Sequence, residues 1–125
     1  IMAAAYYWLP KWTGNMYSES LGRWLFWCSV ISVNVLFFPM HFLGLAGMPR
    51  RIPDYAIQFA DVNQIVSIGG FAFGLSQLIF LAVVIKCIRG GEKAPAKPWE
   101  GSEGLEWTIP SPAPYHSFTT SPEVK

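Results

Sequence analysis

The stretch Met48-Pro49-Arg50-Arg51-Ile52-Pro53-Asp54-Tyr55 decides how the chain folds, because it sets two adjacent arginines between two long uncharged apolar runs. Trp24 to Pro49 contains no Asp, Glu, Lys or Arg and a single histidine, His41, while Val62 to Ile85 contains none of these. As a helix rising about 1.5 Å per residue, each run is long enough to cross a hydrocarbon core of ~30 Å. The quoted stretch is then the turn of a transmembrane hairpin. Composition agrees, since 125 residues that are 52% hydrophobic and 14% charged are too apolar for an ordinary soluble domain.

Working outward, the flanks fix the orientation. Lys11 and Arg23 precede the first run, and Lys86, Arg89, Lys93 and Lys97 follow the second. Lys and Arg accumulate on the inner side of short membrane hairpins, so both flanks are inner and Arg50 and Arg51 lie outside, against the trend. Two neighbouring guanidiniums need an anion. One reading is interfacial snorkelling with a pair to Asp54. The other is a bidentate clamp on an external carboxylate or phosphate, which suits the planar fork of arginine.

The remaining residues fill in the frame. Ile1 to Leu9 is too short to span and reads as the end of a membrane helix, closed by Pro10, Lys11 and Thr13-Gly14-Asn15, with Trp8 and Trp12 at the interface. Ser18 or Ser20 can cap the first span. Ser29 and Ser32 share a face directed at a neighbouring helix, and Pro39 should kink its last third. His41 is either a metal or haem ligand or, without a second ligand at a suitable spacing, a donor to a nearby carbonyl. Pro53, Asp54 and Asn63 supply turns and a cap for the second span, where Gly70 and Gly74 form a small-xxx-small pair for helix packing or for a flat cofactor. Leu78 to Ile85 should face lipid.

After Gly91 the composition changes. Prolines at 95, 98, 110, 112, 114 and 122 exclude an independent core, yet Trp99, Leu105, Trp107, Ile109, Tyr115 and Phe118 are too many large apolar groups for a free tail. An extended strap on the inner face of partner chains is expected. Cys28 and Cys87 lack metal spacing and read as buried thiols, and His116 is either a surface hydrogen-bonder or a group titrating near neutral pH. A formal charge of +1 gives no reason to expect a nucleic-acid partner, and the first eight residues lack the basic region of a signal peptide.

The expected fold class is thus an all-α membrane protein: the end of one helix plus a two-helix transmembrane hairpin, with an extended Pro-rich C-terminal tail. Its segments are a helix end (1–10), an inner-side loop (11–23), a membrane helix (24–48), an outer-side loop with the arginine pair (49–61), a second membrane helix (62–88) and the inner-side tail (89–125).

The run from Asn34 to Tyr55, with Phe37-Phe38-Pro39-Met40-His41-Phe42 and Gly47-Met48-Pro49-Arg50-Arg51, resembles a late transmembrane helix and following loop of subunit I of the haem-copper oxidases. Leu105-Glu106-Trp107 and Pro112-Ala113-Pro114-Tyr115-His116-Ser117-Phe118 resemble the C-terminus of the cytochrome c oxidases rather than of the quinol oxidases. The resemblance covers essentially the whole chain. It implies that Arg50 and Arg51 contact the propionates of haem a and haem a3, that Phe37 and Met40 line the haem pocket, and that His116 is a proton collector on the inner surface.

The resemblance also implies that the axial haem ligands and the copper ligands lie on earlier helices, in another chain. The present chain is then the C-terminal piece of a divided subunit I, from the end of its tenth helix onward. Expected partners are the N-terminal part of subunit I, the copper-bearing subunit II, cytochrome c through the complex, and lipid, in the mitochondrial inner membrane. Expected activity belongs to the assembled oxidase, which reduces oxygen and pumps protons, and not to this piece alone. Met40 stands where the family usually has Gln, and Leu25 and Gly70 replace polar residues of a proposed proton route, which is therefore not implied here. A stand-alone two-helix scaffold protein and the matching piece of a quinol oxidase are the alternatives.

Overall fold

A computed structural model describes residues 1–123, and among them every regular element is helical, in the order α1 (Met2–Thr13), α2 (Glu19–Leu45), a 3-10 turn (Ile57–Phe59), α3 (Ala60–Arg89) and a second 3-10 turn (Leu105–Thr108). The chain divides into two units, residues 20–81 and residues 1–19 with 82–125. Each is described by itself.

The first unit is the hairpin. Helix α2 has 27 residues and α3 has 30, so each is longer than a hydrocarbon core requires. Only 11% of the apolar window of α2 and 17% of that of Ile57–Arg89 is covered by the chain itself. A core helix of a soluble domain would be mostly covered; these present Trp24, Phe26, Trp27, Phe71 and Leu75 outward, as helices bound for lipid and neighbouring helices do. The chain is a membrane protein.

Three contacts hold the hairpin. At the loop end, Leu43, Phe59 and Val66 form a buried cluster against which Leu36, Met48 and Val62 pack. In mid-helix, a Cβ at Gly69 would lie 2.6 Å from the Leu36 nitrogen and 2.9 Å from the Val35 carbonyl carbon. Only a residue without a side chain allows the two backbones to approach this closely. Further along, the hydroxyls of Ser29 and Ser76 are 3.2 Å apart, and Gln77 Nε2 donates to Ser76 Oγ at 3.1 Å and to Ser29 Oγ at 3.4 Å.

Several expectations are corrected here. The close approach belongs to Gly69, since a Cβ at Gly70 would meet only the Leu36 side-chain tip at 3.6 Å and one at Gly74 nothing within 4 Å. Ser32 is buried on the face it shares with Ser29, as expected, and directs its hydroxyl within its own helix, to the Cys28 carbonyl at 2.6 Å. Asn63 is no cap; it lies inside α3 and donates to the Phe59 carbonyl at 2.9 Å.

The second unit corrects the reading of the tail as a strap laid wholly on partner chains. The Trp99 indole donates to the Tyr7 carbonyl at 2.9 Å, Trp8 donates to Glu106 Oε1 at 3.3 Å, and Trp107 packs edge-to-face on Tyr7 with centroids 5.0 Å apart. Leu9, Pro10, Val83, Cys87, Ala94 and Trp107 are buried. A Pro-rich segment cannot build a ladder, but two tryptophans bring enough apolar area to dock it on α1. Short backbone pairings join the loops as well, Met16 N–H to Glu92 O at 2.7 Å and Ala94 N–H to Gly14 O at 2.9 Å. Gly14 caps α1 at φ 74°. Beyond Pro112, which lies against Gly14, the tail is largely exposed, with Tyr115 97% exposed.

Candidate functional site

The arginine loop begins where α2 runs out of hydrogen-bond partners. Gly47 takes φ 91°, its N–H reaches the Gly44 carbonyl at 3.1 Å, and the Met48 N–H reaches that of Leu43 at 3.0 Å. This pairing ends a helix with a residue that tolerates the left-handed region, and places the next side chain back on the helix. Met48 accordingly packs on the Leu43 cluster, and Asn63 Nδ2 lies 3.5 Å from its sulfur. Phe59, buried in the same cluster, pins the other end of the loop.

Between these pins, Arg50 and Arg51 are both exposed, and among the described residues neither has a hydrogen-bond or ion-pair partner. Arg51 holds φ 58°. For a residue with a Cβ that conformation costs on the order of 1 kcal/mol, and such outliers concentrate where backbone shape serves a site. The pair to Asp54 does not form; its carboxylate accepts the Tyr55 N–H at 2.8 Å instead.

Below the loop, Phe37 (54% exposed) and Met40 (41% exposed) lie three residues apart on α2 and so share a face. Met40 is five residues before the helix end at Leu45, about 8 Å of rise. His41 donates through Nδ1–H to the carbonyls of Phe37 and Phe38, both at 3.2 Å, the carbonyl-bonded reading of this residue. Beside it, Asn34, Val35, Phe38, Pro39 and Ile65 line an apolar groove of about 430 Å³. Pro39 has no N–H, so the Val35 carbonyl on this groove lacks its usual helical donor. The hairpin thus carries two exposed guanidiniums in its loop and exposed Phe37 and Met40 on the helix that leads into it.

The structure brings Arg50, Arg51, Phe37 and Met40 into one unit. His116 belongs to the other, exposed, with the Tyr115 ring edge-on at 4.9 Å. Among the described residues no group of three or more His, Cys, Asp or Glu is placed to hold a metal ion. The left-handed Arg51 and the anchoring role of Met48 escape a reading of the sequence, although Gly47 followed by an apolar residue is the signal of the helix end that produces the second.

Residues 1–72, which include the loop and the α2 wall, match the family described as cytochrome c and quinol oxidase polypeptide I. The chain is 40% identical over 125 residues to cytochrome c oxidase subunit 1 of Cereibacter sphaeroides, 98% of this chain and 22% of that protein. It is 42% identical over 123 residues to the putative cytochrome c oxidase subunit 1-beta of Streptomyces avermitilis, 96% of this chain and 22% of that one. Cytochrome c oxidase subunit 1 of Bacillus sp. strain PS3 is 38% identical over 127 residues, 100% of this chain and 21% of the relative. The chain thus spans about a fifth of the length of the relatives it matches.

Proposed function

Because the chain belongs to the cytochrome c and quinol oxidase polypeptide I family, we propose that it forms the C-terminal part of the catalytic subunit of a cytochrome c oxidase. In this reading Arg50 and Arg51 bind the propionates of haem a and haem a3, and Phe37 and Met40 line the wall against the porphyrin. The carrying observation is the exposed arginine pair with no anionic partner among the described residues.

Chemically the donor set fits contact and not ligation. Two guanidiniums match carboxylates in bidentate geometry, and the aromatic wall matches an apolar ring. Axial haem ligands and copper ligands are assigned to another chain, the N-terminal part of subunit I. The haems, when bound, supply electron transfer and oxygen reduction. The arginines hold positive charge at the pocket rim, which favours the ionised form of any carboxylate placed there and raises the potential of a nearby redox centre.

The same reading extends to the complex: partners are the copper-bearing subunit II, cytochrome c and lipid, and the assembled enzyme is an oxidoreductase and proton pump. His116 is proposed as a proton-collecting group on the inner face. The relatives named above are bacterial, so they support a membrane placement without supporting the mitochondrial inner membrane in particular. Division of subunit I into two polypeptides is likewise part of the proposal.

The test is a redox titration of the assembled oxidase with Arg50→Leu. A displaced haem midpoint supports the reading, and an unchanged one overturns it. A stand-alone hairpin scaffold would instead migrate away from haem on a native gel. A quinol oxidase would lack copper in its neighbouring subunit; the tail pattern and the named relatives favour the cytochrome c enzyme.

A further inference from the structure

Lys11 closes the last turn of α1 and is only 4% exposed, an unusual place for an ammonium. Its Nζ donates to the carbonyls of Ile109 at 2.7 Å, Ala96 at 2.9 Å and Pro110 at 3.5 Å. The Trp107 ring lies beneath it, 5.1 Å from Nζ to the centroid. An ammonium has three N–H donors, so the set is saturated.

Two features of the tail explain why a cation belongs there. Prolines at 95, 98, 110 and 112 remove backbone donors and leave carbonyls in excess, which a Pro-rich segment cannot satisfy internally. Furthermore, the Trp107 indole N–H is buried with no acceptor among the described residues, so none of them fixes the ring through that group. What remains to hold it is burial and the cation on its face.

We propose that Lys11 is a latch: one charged amine that clamps two separate segments of the tail, around Ala96 and around Ile109-Pro110, onto the end of α1. Tail docking is then an all-or-none state that depends on that charge. With the amine acylated, a single uncharged N–H is left for three carbonyls on two segments, and Trp107 loses the cation on its face. Undocking in turn exposes the amine.

Two measurements on the full chain in its assembled complex, kept in mild detergent, test this. In competitive acetylation read by mass spectrometry, Lys11 should label at least about tenfold more slowly than the exposed Lys93 and Lys97. Deleting residues 105–125 should bring it to within about threefold of them. Equal labelling in the intact chain overturns the latch, as does continued protection after the deletion. In the second, Lys11→Met should be cut by a Glu-specific protease at Glu103 and Glu106 at least about fivefold faster than the parent, with Lys11→Arg in between. Cleavage of Lys11→Met at the parental rate also overturns it. Should Lys11→Met fail to assemble, labelling of the parent decides alone. Neither readout depends on haem contact, so the oxidase reading stands or falls separately.

Discussion

Gly69 on α3 and Leu36 on α2 meet backbone to backbone, with the Leu36 nitrogen 2.6 Å from where a Cβ of residue 69 would sit. No side-chain adjustment relieves a clash with main-chain atoms, so the position tolerates glycine alone. Gly69→Ala should destabilise the hairpin by about 1–3 kcal/mol, the usual cost of overpacking. Gly74→Ala, where nothing lies within 4 Å, should be neutral or slightly stabilising. Thermal unfolding of the two variants in the same detergent checks the contrast, and equal loss in both would refute it.

Arg51 separates shape from charge. At φ 58° a glycine relieves strain, so Arg51→Gly should keep or raise stability by up to about 1 kcal/mol. The same substitution should weaken whatever anion the rim binds, whereas Arg51→Lys keeps the charge and loses the fork. On the assembled enzyme, Arg51→Gly and Arg51→Ala should therefore shift haem absorbance alike, while the thermal midpoint of Arg51→Gly stays above that of Arg51→Ala, which loses the charge and keeps the strain.

The serine pair offers a double-mutant cycle. Ser29→Ala and Ser76→Ala each remove one partner of the 3.2 Å contact. Polar contacts between membrane helices are worth about 0.6 kcal/mol on average, and a coupling energy of that size is expected between the two substitutions. Purely additive effects would mean that Gln77, which touches both hydroxyls, carries the interaction.

Tyr17, in the loop between α1 and α2, gives a pH signature. Burial first, and then the charges of Glu19, Tyr6 and Cys87, push its phenol up to about 12 from 10.0. A raised value means that the folded state holds the proton more tightly than the unfolded chain. The contribution to stability is whole below about pH 10 and is lost as pH climbs through about 12. Absorbance at the tyrosinate band should display a late step near that upper value, absent in Tyr17→Phe; a titration without it would count against the packing of this loop.

Much of the hairpin was legible because its signals are composed over long windows. Two uncharged runs and a Pro-Arg-Arg turn fix the spans and the loop whatever the detailed packing. The arginines could be singled out for the same reason, since two adjacent charges between two long uncharged runs stand out without coordinates. The close contact was assigned to Gly70 and Gly74 because spacing identifies small faces, while the contact itself depends on helix rotation, which one residue of phase moves from Gly70 to Gly69. Asn63 was read as a cap from its type, but α3 starts three residues earlier.

The tail was the harder case. Its prolines argue correctly against a ladder, and nothing local in Trp99 or Trp107 says that they will settle on Tyr7 and Lys11, more than eighty residues away in sequence. Contacts of that range are decided by topology. Lys11 was read as an orientation charge and as part of the close of the first helix end, not as a clamp on the tail, because its three acceptors are main-chain carbonyls and leave no imprint on residue type.

One unit joins residues 1–19 to residues 82–125, and synthesis runs from the first to the last. A ribosome therefore delivers α1 long before the partners that will cover Leu9 and Lys11 exist. Until translation nears its finish, that early segment is a client for whatever cellular machinery shields nascent apolar surface. A message broken within the stretch that encodes Trp99 to Trp107 would yield a product bearing both membrane helices and an uncovered α1, a mark by which proteolytic surveillance can tell unfinished copies from finished ones.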